Sequence, residues 1–434
     1  MKHLRLLMII SLVLLPALCQ AAAEPATAYP YPFPGPYGAT ILGTPPQMMP
    51  ELPKEVPSKE LVLELIPELK KSDVFFYDEG LRCTFAYQDK KAPLVFLIAG
   101  TGSNHKSKKL ISMMKYFHKA GYHVITMASP THPNFIINAS HSHIPGDLTE
   151  DAADLYWAME AAWAKVKGDI EVDGFYLAGY SLGGTQAAFV AKLDEERKSF
   201  NFRNVLLVNP AVNLYDSVSR IEGLLDKIPG GPKKGGAFFN RTLEKFIQFY
   251  KEGDFVEFNG EFLYGAFKSG KFTQEEGGGI IGIAFRIASG AMIFTSDVMT
   301  NGGYVVPKNR VLKYNDYLGD YMRISNHLSF LDYFNEYFYP YFQKKRPGLT
   351  KEALIASLGL KSIEGYLKGN PKFSAMTNDN DFILSDGDRE YLRQLFGERT
   401  MIYPTGGHLG NLEFIPNMTY MTDFFGMLPK QGGK

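Results

Sequence analysis

The chain has 434 residues, 46 Lys and Arg against 46 Asp and Glu, and 45% hydrophobic residues. Balanced charge gives no bulk field that points to nucleic acid or acidic lipid, and the apolar share is ample for a large core. The length fits two or three structural units.

Taken in chain order, residues 1–23 read as a signal peptide. Lys2 and Arg5 give a positive start, Leu6 to Leu15 an apolar stretch too short to span a bilayer comfortably, and Ala21, Ala22 and Ala23 a small-residue cleavage site before Glu24. The expectation is an exported protein, periplasmic or secreted. Cys19 raises lipidation as an alternative, against which Leu18 stands where a small residue is expected; an uncleaved anchor is the other alternative. Cleavage leaves Cys83 alone, so no internal disulfide is expected. Residues 24–58 are dense in proline and predict an extended, semi-rigid tail whose Tyr29, Tyr31, Phe33 and Tyr37 pack on the body.

Glu60–Ile66, Asp73–Tyr77 and Leu81–Tyr87 read as antiparallel strands. Pro93–Ala99 is wholly apolar and suits a central strand buried on both faces. Lys108–Ala120 has helical period with Ser107 as N-cap, and His123–Ala128 reads as the next strand. Pro130–Gly146 reads as a loop, and 149–167 as a helix with Ala152, Leu155, Tyr156, Met159, Trp163 and Val166 on its apolar stripe. Val172–Ala178 reads as a strand, Gly184–Leu193 as a helix, and Asn204–Val208 as a further buried strand. This alternation predicts an α/β fold, a mostly parallel sheet with helices on both faces. It breaks over 212–370, which are helical, aromatic and glycine-punctuated, and returns at Lys372–Thr377, a helix near 388–396, Thr400–Tyr403 and a helix at Tyr420–Met427. The expected organisation is therefore a core of 59–211 and 371–434 interrupted by a helical cap, or lid, of 212–370. Within the cap, Gly277–Phe294 reads as a buried helix rather than a membrane span. Phe330, Phe334, Tyr337, Phe338 and Tyr341 form an aromatic stripe expected to roof an apolar acyl pocket that prefers medium chains to acetyl.

The chemistry concentrates at Gly179-Tyr180-Ser181-Leu182-Gly183, a G-x-S-x-G motif between a strand and a helix. Such a turn exposes the serine hydroxyl and aims the first helical amides at the same point. Serine needs a base, and the base needs an orienting acid. His408, in the glycine-rich Thr405–Gly410 after the last strand, is the candidate base. Asp381 is the preferred acid and Asp379 the alternative; Asp386 and Asp388 read as capping acids of the next helix. The backbone amides of Leu182 and Thr101 are the candidate oxyanion donors, with Gly102 the alternative to Thr101. His132, His141 and His143 share one loop without carboxylates or thiolates at ligand spacing, so no metal is expected; His105 lies near the oxyanion loop. No Walker loop or dinucleotide fingerprint occurs, so no cofactor is implied.

The elbow, the glycine loop and the Gly406-Gly407-His408-Leu409-Gly410 ending resemble the α/β-hydrolase superfamily over 73–210 and 370–428, within it most nearly the bacterial esterases. The chain departs from it at Ala99-Gly100, where His-Gly is frequent, and in the long separation of Ser181 from Asp381, which implies the large cap. The resemblance implies an exported serine esterase acting on small or lipid-like acyl esters or thioesters. An acyltransferase or peptidase on the same site, or a non-catalytic binding protein, are the rival readings; a membrane is neither required nor forbidden.

Overall fold

The structure, a computed structural model, describes residues 29–66, 71–228, 237–238 and 274–426. The signal-peptide reading of 1–23, with Cys19, lies outside the described residues, as do most of 229–273 of the expected cap and Met427. The chain divides into two compact units, Met1–Pro30 and Tyr31–Lys434, and the sheet and the site belong to the second.

An 8-stranded sheet organises the fold: β1 Ser58–Leu63, β2 Leu81–Ala86, β3 Ala92–Ile98, β4 His123–Met127, β5 Val172–Tyr180, β6 Val205–Val208, β7 Phe373–Asn378 and β8 Thr400–Tyr403, in the order β1-β2-β4-β3-β5-β6-β7-β8. β1 with β2 and β2 with β4 are antiparallel; every other neighbouring pair is parallel. β3 is apolar along its length and lies almost wholly buried, as a strand covered on both faces must be. Helices α2 Lys108–Lys119, α4 Leu148–Val166 and α5 Leu182–Arg197 supply the covering layers, α4 packing on α5 and α2 on the C-terminal helix Ile415–Gly426. α4 starts where Asp147 accepts the amides of Thr149 and Glu150, each at 3.2 Å. This strand order, with a serine turn after β5, is the α/β-hydrolase fold.

The register places the chemistry. Ile98 pairs with Gly179, Tyr180 with Val208, and Asn378 with Tyr403. The loops leaving β3, β5, β7 and β8 therefore emerge together at the carboxyl edge of the sheet, where ligands bind in open α/β sheets.

Four local expectations differ from the structure. Asp73–Tyr77 is not a strand; Asp73–Phe75 is a 3-10 turn, because Val74 and Phe75 are both buried while Phe76 and Tyr77 point outward, a pattern no alternating strand allows. Pro130–Gly146 contains a short helix, α3 Pro133–Asn138, with Pro133 in its first turn and His132 Nδ1 accepting the Asn134 amide. Ser107 stands at the N-cap position of α2, but its side chain makes no capping bond; its hydroxyl meets the Tyr180 hydroxyl at 2.9 Å. The tail is not extended throughout: Pro36 opens a helix, α1 Pro36–Leu42, that ends at Gly43 with φ +69°.

Between β6 and β7 the described chain is helical. α6 Leu214–Glu222 leads in, and Gln274–Thr300 forms one long helix. Its most apolar stretch is long enough to cross a membrane by length and composition alone, yet 61% of that stretch is buried within the fold. Arg286 on this helix binds Glu222 at 2.8 Å, a nearly buried pair tying the helix to α6. Asp297 accepts the amides of Tyr304, Val305 and Val306, fixing the loop after the long helix. The aromatic stripe runs through Tyr333–Phe338, which widens into a π turn.

Cys83 is wholly buried in β2, and that burial pushes its thiol up to about 12. In protein lacking residues 1–23 it is the sole cysteine, so a disulfide-exchange reagent at about pH 8 should find no reactive thiol in the folded protein and one per chain after denaturation. Rapid labelling of the folded state would show that β2 opens locally.

Candidate active site

Ser181 sits at φ +55° and ψ −127°, a backbone region that costs an L-residue about 1–3 kcal/mol unless its surroundings hold it. Three glycines hold it by letting main chains meet. A Cβ on Gly179 would collide with the Gly183 carbonyl, one on Gly183 with the carbonyls of Ile98 and Ala99, and one on Gly100 with the Tyr180 ring and Ser181 Cβ. The Ser181 amide is anchored to the Val208 carbonyl at 2.8 Å. The motif's spacing thus reflects backbone contact between β3, β5 and α5.

Ser181 Oγ lies 2.9 Å from His408 Nε2, and His408 Nδ1 lies 3.1 Å from both carboxylate oxygens of Asp381. Asp381 is 1% exposed. Its oxygens also accept Asn209 Nδ2 at 2.8 Å and the Ile383 amide at 3.2 Å. Asp379 is not brought to this group: its side chain is 63% exposed and faces Arg389 at 3.4 Å. Ser385, not an aspartate, is the N-cap of Asp386–Phe396, with Asp388 completing a capping box and Asp386 in the first turn.

Gly102 spends its amide on Thr131 Oγ1 at 2.8 Å, at φ +68°. That leaves Thr101, beside it, as the amide on this loop able to serve a ligand, and among the described residues no acceptor takes the Thr101 or Leu182 amide. Both residues line a small cavity beside the serine turn. The loop is held by Tyr180, whose buried hydroxyl meets Ser107; burial raises its pKa, so it stays neutral.

Two cavities meet at this loop. The larger, about 820 Å³, is lined by Ser181, His408 and Thr101, by Ile281 to Ala288 of the long cap helix, and by Phe33 and Thr40 to Met49 of the N-terminal segment. The smaller, about 40 Å³, lies among Thr101, Leu182, Phe330, Tyr333, Phe334 and Phe338. The aromatic stripe therefore reaches the site, but Tyr333, Phe334 and Phe338 are at most 2% exposed and pack on one another, leaving little more than a water-sized gap. A roomy pocket for medium acyl chains is not what these rings enclose.

The N-terminal segment is the part of the site that motif reasoning missed. Thr40 Oγ1 accepts the His408 amide at 2.8 Å and donates to the Pro36 carbonyl at 2.7 Å. Thr44 donates to the Gly410 carbonyl, Asn380 Nδ2 to the Pro34 carbonyl, and the Gly38 amide to Gln274 Oε1 of the cap. The signals available were the two glycines near His408: a Cβ on Gly407 would strike the Pro36 carbonyl, and one on Gly410 the Ala39 carbonyl.

The other histidines are engaged elsewhere. His105 is buried with Nδ1 2.8 Å from Thr84 Oγ1, and burial lowers its pKa to about 4. His132 caps α3, His141 pairs with Asp154 at 2.5 Å, and His143 Nδ1 meets the Ile136 carbonyl.

No protein-family model matches the sequence, and no curated protein matches it. Among solved structures, a protein of Legionella pneumophila, a candidate hydrolase, aligns at 12% identity over 92% of this chain and 95% of that one, TM-score 0.45. A hyperthermophilic esterase from Pyrobaculum calidifontis aligns at 13% identity over 87% and 83%, TM-score 0.38. Est1E from Butyrivibrio proteoclasticus aligns at 16% identity over 34% of this chain and 54% of that one, TM-score 0.25, so this chain covers about half of that relative's length in that alignment. At such scores, the fold assignment rests on strand order and on the serine turn after β5.

Thr40→Val keeps the side chain's shape and removes both of its hydrogen bonds. The expected result is a loss of about 1 kcal/mol in stability and a several-fold lower kcat on an ester substrate with little change in KM, because Thr40 acts through the His408 loop. An unchanged kcat would show that the N-terminal segment merely covers the site.

Proposed function

We propose that the protein is an exported serine hydrolase that cleaves carboxylic esters or thioesters through an acyl-enzyme. The observation that carries this reading is the continuous chain Ser181 Oγ, His408 imidazole, buried Asp381 carboxylate. Ser181 Oγ attacks the carbonyl carbon while its proton passes to His408 Nε2. The carbonyl electron pair moves to oxygen, where the amides of Leu182 and Thr101 receive it. Collapse of this intermediate expels the alcohol or thiol, which takes the proton from His408. Water then attacks the acyl carbon, gives its proton to His408, and collapse releases the carboxylic acid and returns the proton to Ser181. Asp381 holds the imidazole with Nε2 facing the serine and offsets the charge of the transient imidazolium.

The small cavity beside Leu182 and Thr101 has room for an acyl group no larger than acetyl. The larger cavity beside His408 is roomy enough for an acyl acceptor other than water, which favours acyl transfer as the second reading. Supplying alcohols and amines alongside an ester substrate and quantifying the acylated products separates the two.

Labelling tests the mechanism. A fluorophosphonate should modify Ser181 covalently, and Ser181→Ala should abolish labelling with little change in thermal midpoint; labelling that survives refutes the mechanism. Asp381→Asn should lower kcat by about 10⁴-fold, since the imidazole loses its orienting partner, while Asp379→Asn should have little effect. The opposite ranking would contradict the assignment of the acid. Phe338→Ala should open the small cavity and move the optimum of an acyl-length series to longer chains; an unmoved optimum would place the acyl group elsewhere.

A further inference from the structure

The larger cavity is lined by positive charge. Lys108 and Lys109, in the first turn of α2, both line it together with Ser181 and His408. Lys108 is exposed, whereas Lys109 is half-buried. Among the described residues, no carboxylate lies within ion-pair distance of Lys109. Among the described residues, the acid lining the cavity is Glu413, which is 8% exposed and has one oxygen bound to Ser112 Oγ at 2.5 Å. Burial pulls the Lys109 pKa down, the Glu413 charge counters this, and Lys108 adds to the lowering. A half-buried ammonium without a contact partner is costly, and an anionic ligand group relieves the cost.

The position of this charge relative to the reaction says which part of the substrate bears the anion. His408 protonates the departing alcohol, so that group leaves into the cavity where His408 stands, which is the one lined by the two lysines. The acyl group has the small apolar cavity behind Leu182 and Thr101. Resting on the hydrolase reading above, we propose that the substrate is an ester of an anionic alcohol, with a carboxylate or phosphate on the leaving group, and that Lys109 is the specificity-determining residue that receives it.

The experiment uses three acetyl esters that differ only in the alcohol: ethanol, glycolate and 2-hydroxyethyl phosphate. For the full-length protein, kcat/KM should favour at least one anionic ester over the ethyl ester by about tenfold, the scale of one hydrogen bond to a charged group. Preference for glycolate assigns a carboxylate, and preference for the phosphate ester assigns a phosphate. Lys109→Met should bring the anionic-to-neutral ratio close to unity, Lys109→Arg should keep it, and Glu413→Gln should raise it by removing the opposing charge. These opposite signs are not what loss of a merely structural lysine produces, and Lys109→Arg guards against a Met variant that fails to fold. Binding of the same esters to Ser181→Ala protein, measured by calorimetry, reads the anion preference without turnover. Binding preference without hydrolysis by the wild type would refute the hydrolase reading and leave the anion site standing. A wild-type ratio at or below unity in both turnover and binding, or a ratio unmoved by Lys109→Met, overturns the proposal.

Discussion

The site depends on one strained residue. Ser181 is held at φ +55° where only close backbone contact on every side can keep it. Because Gly179, Gly183 and Gly100 carry no Cβ, the end of β5, the start of α5 and the loop after β3 approach until main chain meets main chain. That approach does more than expose a hydroxyl. It also fixes the backbone of Leu182 and of the loop that carries Thr101, so on the proposed mechanism one packing constraint sets both the attacking atom and the donors assigned to the oxyanion. A preset pair of donors needs no reorganisation when charge develops, which is where electrostatic catalysis gains most.

The second half of the site obeys a different rule. A buried carboxylate is tolerated when its lone pairs are filled, and Asp381 meets Asn209, the Ile383 amide and His408. Asp379, two residues earlier, has no such enclosure and is drawn outward by Arg389. The distinction between two acids on one loop is therefore a distinction of burial, with β7 ending at Asn378 and turning Asp381 inward.

The same contrast between local and distant constraints decides what was legible in the sequence. The sheet strands, the serine turn and the three side chains that meet there announce themselves through short-range pattern: apolar runs, glycine spacing and the loop after each strand. What was misread has the same origin in each case. Asp73–Tyr77 is apolar enough for a strand, but its burial is set by neighbours distant in sequence. Ser107 looks like a cap until Tyr180 claims its hydroxyl. The aromatic stripe has helical spacing whether it lines a pocket or fills a core, and only packing against Tyr215 and the Gly146 loop decides that Phe334 and Phe338 are core.

The N-terminal segment illustrates the limit most sharply. A proline-rich stretch carries no periodic signal, yet Thr40 meets a residue 368 positions away, and the same segment reaches the cap through Gln274. Proline suits this role: it fixes the backbone without needing amide partners, so the segment can lie across a cavity mouth at small entropic cost. The cavity is thus walled on one side by the strand ends of the sheet, on another by the long cap helix, and on a third by the beginning of the described chain. Rings locked into the core close the small cavity beside it, and two lysines and mixed polar groups line the large one. On the proposed reading, such an enclosure would constrain the acyl group by volume and the alcohol by charge, so discrimination at the two ends of the substrate would rest on separate physical terms and could vary independently.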